Sequence, residues 1–313
     1  MSVSRPSRQL IGILSINYKL ENITGLLIRM PVSAQVYKIG GGDQYPMTTI
    51  KKYRDGNIEV EIEVPYIPGS SLKGRMRSLV EGFMGSKLYS TDGKIWIHAR
   101  YYGVRDYNMN DQELVNDIMS RCVIDEVFGS PAVHADTLKE IEEKLKMKPY
   151  TLYSLLAQTR LLVDDMFPDL EYVRKLSDSW KKIISIADFL EEKSENRLDR
   201  VTSAADPRTV VRVKPYTVFN GSIKLLIFDI DKGLVKRNID VVFKTMRLVE
   251  ETYLGGSGSR GYGRVVFKDL ILKLLMIKDG MLKEEDIGRY SGVNEVLGKV
   301  EELSKLIEDK LFK

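Results

Sequence analysis

The chain has 313 residues, of which 43% are hydrophobic and 29% are charged, and this is enough for a sizeable core in one elaborated domain or two. Its 48 Lys and Arg residues exceed the 44 Asp and Glu residues by only +4, so any surface that binds nucleic acid must be local. The single cysteine, Cys122, excludes a disulfide framework and a cysteine-based zinc site. No signal-peptide segment and no apolar run of membrane-spanning length occur, which predicts a soluble, cytoplasmic protein without a membrane partner.

The first predicted elements are a strand and a helix. Alternating apolar residues predict a strand over residues 9–20. The motif IPGSSLKGRMRS then predicts a turn and a helix, with Ser70 or Ser71 as the N-terminal cap. Lys73 and Arg77 share one helix face near that N-terminus, where cations oppose the helix macrodipole. A bound phosphate would resolve this conflict, and the alternative is a solvated basic face.

The middle of the chain predicts a helical insertion and a basic hairpin. Apolar residues at helical spacing between Gly129 and Thr159 predict helices within an insertion at about residues 85–158, which either packs on another chain or decorates the surface. Residues 207–228 carry four cations and no acidic residue, and they are rich in valine. They predict a protruding hairpin, or thumb, at about residues 196–221 that could wedge between base steps. The alternative is an ordinary core hairpin with a solvated basic edge.

A glycine-rich loop follows the next predicted helix. It contains G-x-G-x-x-G at Gly256, Gly258 and Gly261, the string of a dinucleotide-binding fingerprint. That fingerprint needs a strand before it and a helix after it, whereas here a helix precedes and a strand follows, so the dinucleotide interpretation fails. Residues 254–268 contain no acid but do contain Arg260 and two further cations. The loop therefore predicts a contact with a phosphate backbone, with a purely structural turn as the alternative.

The order of elements predicts an α+β fold of the ferredoxin-like, RRM-like class. Its βαββαβ pattern comes from strands over residues 9–20, 159–164, 222–230 and 261–275 and helices over residues 70–84 and 241–253. The chain lacks an aromatic RNP signature, so bound RNA would contact loops and helix termini. We expect the palm to span residues 1–278 and an amphipathic helical tail to span residues 279–313. The apolar stripe of that tail predicts packing on the core, and it comprises Val296, Val300, Leu303 and Ile307.

Two motifs together carry a family resemblance. In their order and spacing, IPGSSLKGRMRS and YLGGSGSRGYGRV resemble the backbone RAMP subunit of type III-A CRISPR effector complexes, the Csm backbone protein. The Cmr counterpart of type III-B complexes is the next most similar family. ENRLDRVT and ADPR resemble the segment that enters the thumb, and TRLLVDDMF resembles the palm core. The chain departs from the family after Thr24, where Leu27 and Ile28 stand in place of paired glycines.

The resemblance implies a RAMP palm with helical insertions and a β-hairpin thumb. It also implies a filament in which copies of the chain and other type III subunits assemble along crRNA and hold target RNA. Under this resemblance the guide backbone is bound by Ser70, Ser71, Lys73, Arg77, Arg208, Gly256, Ser257, Gly258, Arg260 and Tyr262.

The resemblance further implies an endoribonuclease whose acidic residue, in the loop after the first strand, cuts target RNA at regular intervals. The matching loop is KIGGGDQY at residues 38–45, and its carboxylate is Asp43. The chain has only His98 and His134, in unrelated contexts, which disfavours a ribonuclease with a histidine pair. Asp43 could instead help to hold hydrated Mg²⁺ or another divalent ion. Two alternatives remain: Asp43 ends a glycine turn, and the chain is a structural RNA-binding RAMP subunit without nuclease activity.

Overall fold

The computed structural model describes residues 8–31, 44–90, 93–98, 111–130, 134–156 and 158–312. The strands in chain order are β1 (Leu10–Asn22), β2 (Thr48–Asp55), β3 (Ile58–Pro65), β4 (Leu161–Val163), β5 (Phe167–Pro168), β6 (Leu190–Leu198), β7 (Ala205–Val213), β8 (Val218–Phe228), β9 (Val265–Lys278) and β10 (Met281–Gly292). The helices are α1 (Gly69–Met84), α2 (Asp111–Met119), α3 (Val123–Phe128), α4 (Ala135–Lys144), α5 (Thr151–Leu155), α6 (Leu170–Leu176), α7 (Val235–Glu251), α8 (Val293–Leu297) and α9 (Val300–Leu311).

The main sheet is antiparallel and has the strand order β10-β9-β1-β8-β4, with β5 also paired to β8. Among the strands of this sheet and the two longest helices, setting aside β5 and the edge strand β10, the order along the chain is β1, α1, β4, β8, α7, β9. The predicted βαββαβ pattern is therefore present, and its four strands are arranged as fourth, first, third and second. This arrangement confirms the ferredoxin-like fold class.

Alternating apolar residues create the core of the palm. Leu14, Ile16 and Leu20 of β1 are fully buried because successive strand residues point to opposite faces of a sheet. They form one hydrophobic core with side chains of α1 and α7, such as Met76 and Met246. Each such burial contributes about 1.5–3 kcal/mol of hydrophobic free energy, which fixes both helices on the sheet.

The expected tail begins with a strand, so the prediction of a helix from residue 279 is wrong in its first part. Asp279 and Gly280 have φ angles of +51° and +75° and turn β9 back into β10. Asp-Gly between two strands is a strong hairpin signal that the helical interpretation missed. The rest of the tail is helical as predicted, and its stripe is buried against the core: Val296, Val300, Leu303 and Ile307.

The insertion and the hairpins also differ in detail from the prediction. In the insertion, α2, α4 and α5 share their own hydrophobic cluster, whereas α3 is buried in the main core. The basic hairpin consists of β6 and β7, so it starts at Leu190 and ends at Val213, and the residues from Val218 onward belong to the palm strand β8. A second hairpin, β2–β3, was not predicted. No helix in the described part of the chain is long and apolar enough to cross a membrane.

Candidate nucleic-acid interface

The N-terminus of α1 is capped by the chain itself. Pro68 is the N-cap residue, and neither Ser70 nor Ser71 forms a capping hydrogen bond, so the predicted serine cap is wrong. Instead, the backbone N–H of Gly69 donates to Asp165 Oδ1 at 2.7 Å. This carboxylate supplies the negative charge that the positive end of a helix favours. Ser70 is exposed and Ser71 is half-buried in the first turn.

The two predicted cations of α1 both have partners within the palm. Lys73 Nζ donates to the carbonyl of Leu161 at 2.8 Å, and its burial, followed by the charge of Arg77, lowers the pKa of Lys73. Arg77 donates to Glu81 at 2.8 Å, to the carbonyl of Gly129 at 2.8 Å and to the carbonyl of His98. These bonds hold α1 against its surroundings. Arg77 therefore has a structural role in positioning the helix.

Arg75 joins α1 to the glycine loop. Its Nε donates to the carbonyl of Tyr253 at 3.0 Å, and its guanidinium lies 4.2 Å from the centre of the Tyr253 ring. The two motifs that are 178 residues apart in sequence therefore meet in the fold. Arg75 was not among the predicted site residues, although it is the middle cation of the three in its motif.

The glycine loop packs closely against the segment after β1. The N–H of Gly256 donates to the carbonyl of Leu27 at 2.8 Å, and that of Gly263 donates to the carbonyl of Gly25 at 3.0 Å. A Cβ on Gly258 would lie 2.0 Å from the Tyr253 ring, so that site requires glycine. The loop therefore has a structural role, and at its surface lie half-buried Ser257 and exposed Arg260.

Tyr262 is fully buried and does not offer its ring to a ligand. Its hydroxyl donates to Glu195 Oε1 at 2.7 Å. Burial, and then the hydrogen bond to Glu195, raises the pKa of Tyr262 to about 12. Lys193 Nζ and the Arg212 guanidinium lie 4.5 and 4.7 Å from the ring centre. Tyr262 thus fastens the loop to the β6–β7 hairpin.

A cationic groove lies where the hairpin meets the glycine loop. Arg208 donates to Glu195 at 2.9 Å from within the hairpin, and Arg260 reaches the same carboxylate at 3.4 Å from the loop. The groove has a volume of about 460 Å³ and is lined by one carboxylate and five cations: Glu195, Lys193, Arg197, Arg200, Arg208 and Arg260. Its excess of positive charge suits phosphate groups, which arginine binds with charge-assisted hydrogen bonds.

The predicted catalytic Asp43 lies outside the described residues, as do residues 32–42. The chain returns to the described fold at Gln44, which forms a parallel bridge with Val210 and whose carbonyl accepts from the N–H of Val211 at 3.1 Å. Residue 43 therefore directly precedes a residue that is anchored on β7, the strand that carries Arg208.

A third group of side chains could hold a metal ion. His98 Nε2 lies 3.4 Å from Cys122 Sγ and 3.6 Å from Asp125 Oδ2, and the three ligand atoms lie within 4.8 Å of one another. The prediction from cysteine count excluded such a site because it considered only cysteine ligands, whereas zinc also takes histidine and carboxylate. Burial disfavours the charged ring, but Cys122, the carbonyl of Lys87 and Asp125 together raise the pKa of His98 to about 9. A metal ion would have to displace that proton.

Comparisons with known proteins identify the family. The RAMP superfamily model matches residues 39–266. Two similar proteins are named CRISPR system Cms endoribonuclease Csm3. The protein from Methanothermobacter thermautotrophicus is 32% identical over 67% of this chain and 70% of its own length. The protein from Streptococcus thermophilus is 30% identical over 66% of this chain and 70% of its own length.

A solved structure supports the same fold. The crystal structure of Csm3 from Methanopyrus kandleri covers 94% of this chain and 98% of its own chain, with 17% identity and a TM-score of 0.51. The family model spans most of the chain, and both relatives carry a Csm name, as the two motifs predicted. The chain therefore belongs to the RAMP superfamily, as a Csm-type backbone subunit.

Proposed function

We propose that this chain binds crRNA in a type III CRISPR interference complex and cuts complementary target RNA at regular intervals. In this proposal, copies of the chain assemble with other subunits of the complex along the guide in the cytoplasm. The cationic groove shared by the β6–β7 hairpin and the glycine loop carries the proposal. A net charge of only +4 leaves non-specific attraction weak, so a local cluster of five cations is the feature that suits an RNA backbone.

Under this proposal the predicted RNA-binding residues have different tasks. Arg208 and Arg260 line it and would contact phosphate directly. Gly256, Gly258 and Tyr262 would shape the loop, because their contacts are to the chain itself. The remaining predicted contacts would come from the loop surface and from the first turns of α1: Ser257, Ser70, Ser71, Lys73 and Arg77.

The proposed cleavage depends on Asp43. Attack by a 2′-OH of the RNA needs alignment, stabilisation of the charge on the phosphorane and transfer of a proton. The Asp43 carboxylate would hold hydrated Mg²⁺ or another divalent ion, which when bound supplies positive charge at the reacting phosphate. The pairing of Gln44 with β7 supports this role because it anchors Gln44, the residue that follows Asp43, beside the strand that carries Arg208.

The His98, Cys122 and Asp125 group suits a different metal role. Its nitrogen, sulfur and carboxylate ligands match the preferences of Zn²⁺. His98 and Asp125 are buried, and Asp125 lies on α3 within the main core. An ion held by this group would therefore be structural and would take no part in the proposed cleavage.

Salt dependence of RNA binding tests the groove. Substituting Arg208→Ala together with Arg260→Ala should weaken binding to a labelled, unstructured RNA for every sequence tried. It should also lower the slope of log affinity against log salt by about 1.4, which corresponds to two single-strand phosphate contacts. The matched control is Arg54→Ala with Arg289→Ala, since both arginines are more than two-thirds exposed and lie on β2 and β10.

The control variant should bind as the unmodified chain does. An unchanged affinity and salt slope in the Arg208 and Arg260 variant would contradict the proposed groove.

A further inference from the structure

Glu195 is the only acidic side chain among the described residues that line the cationic groove. It lies on β6 directly opposite Arg208 of β7 in the hairpin register, and only 12% of its side chain is exposed. A carboxylate beside a phosphate-binding surface repels the ligand, so simple electrostatics would disfavour an acid there. Attraction of phosphate therefore does not explain why a carboxylate lies in this groove.

The two oxygens of Glu195 hold different parts of the molecule. Oε1 accepts the hydroxyl of buried Tyr262 at 2.7 Å and lies 3.8 Å from Lys193 Nζ. Oε2 accepts from Arg208 at 2.9 Å and from Arg260 at 3.4 Å. One carboxylate thus links the hairpin to the glycine loop, and it also accepts hydrogen bonds from one arginine of each.

Restraining the two arginine side chains before RNA arrives lowers the entropy that is lost on binding. A free arginine side chain loses about 2 kcal/mol of rotamer entropy when a ligand immobilises it. Arg208 and Arg260 are already restrained by Glu195, so less of that cost falls on RNA binding. Only some of the donors of each guanidinium face Glu195, and a planar guanidinium carries five.

We propose that Glu195 is a positioning residue that aligns Arg208 and Arg260 as a paired phosphate clamp. This inference rests on the proposed function of the groove. It predicts that removing the negative charge weakens RNA binding, although neutralising an acid near a polyanion would otherwise strengthen it.

The test compares two acids of the same strand in the full-length chain. Glu195→Ala should weaken binding of a labelled oligouridine by about three- to tenfold, since two charge-assisted contacts lose their alignment. Glu192→Ala is the matched control because Glu192 lies on the exposed, opposite face of β6. It removes the same charge and should leave binding unchanged or slightly tighter.

A second comparison separates positioning from general stability. In a chain that already carries Arg208→Ala and Arg260→Ala, Glu195→Ala should have no further effect on RNA affinity. An equal loss in that background would overturn the inference, because the carboxylate would then act without the two arginines. Glu195→Gln keeps an acceptor for Tyr262 and should lose less RNA affinity than Glu195→Ala. It replaces the alanine variant in this test if that variant does not fold.

The remaining outcomes are distinguishable. If Glu195→Ala or Glu195→Gln binds oligouridine as tightly as the unmodified chain or more tightly, Glu195 is not a positioning residue, although the groove still binds RNA. If the unmodified chain does not bind oligouridine at all, the proposed function itself is overturned, and the inference with it.

Discussion

At the scale of single residues, the glycines of the loop matter through packing. The ring of Tyr253 occupies the space where a side chain on Gly258 would begin, and the carbonyl of Leu254 lies 2.0 Å from the place of a Cβ on Gly263. The motif predicted close approach of the backbone to a ligand. In the structure the loop backbone closely approaches Tyr253 and Leu254 of the chain itself, so these contacts help to shape the loop.

Two alanine substitutions measure this effect. Gly258→Ala should destabilise the chain by about 1–3 kcal/mol, because the new Cβ overlaps the Tyr253 ring. Gly74→Ala is the matched control, since a Cβ added there would meet nothing within 4 Å and the site is inside α1. It should stabilise by about 0.4–1 kcal/mol. Urea unfolding of both variants is the measurement, and a Gly258→Ala variant as stable as the unmodified chain would contradict the importance of this packing.

At the scale of elements, Arg75 couples α1 to the glycine loop through one hydrogen bond and one ring contact with Tyr253. Arg75→Lys keeps the charge but loses the planar guanidinium that makes both contacts. We expect faster hydrogen exchange in residues 254–264 and a loss of about 1 kcal/mol in stability. Arg54→Lys, at an arginine that is 75% exposed, is the control. Exchange in the loop that is equally slow in both variants would show that the two elements are not coupled through Arg75.

Local patterns predicted the elements better than they predicted the partners of each side chain. Alternation in β1 and helical spacing in α1 and α7 reproduce the ferredoxin-like core, because burial imposes those periods on the sequence. The cap of α1 comes from Asp165, the partner of Tyr262 is Glu195, and Arg75 meets Tyr253. Each of these pairs is at least 67 residues apart, so no local signal could reveal it. The β9–β10 turn differs, because its Asp-Gly pair was a local signal and was overlooked.

At the scale of the whole molecule, the hairpin, the glycine loop and α1 form one connected surface on the palm. Tyr262 and Glu195 join the first two, and Arg75 joins the third. The segment that returns at Gln44 is fastened to β7 of the same surface. An RNA bound in the groove would therefore lie beside β7, the strand to which Gln44, the residue after the proposed catalytic Asp43, is bridged. Under the proposed function the chain is one of several copies along the guide, so the same surface would recur there.

Cleavage of labelled complementary RNA by the reconstituted guide complex with Mg²⁺ tests most directly whether Asp43 cuts the target. The comparison is between the unmodified subunit, Asp43→Ala and the control Asp136→Ala, whose side chain is exposed on α4 of the insertion. We expect regularly spaced products from the unmodified and control complexes, their loss on chelation of Mg²⁺, and their absence from Asp43→Ala with target binding retained. Regular products that persist in Asp43→Ala would contradict the assignment of Asp43 as the catalytic residue. Target binding without products from any of the three complexes would instead identify a structural RNA-binding subunit.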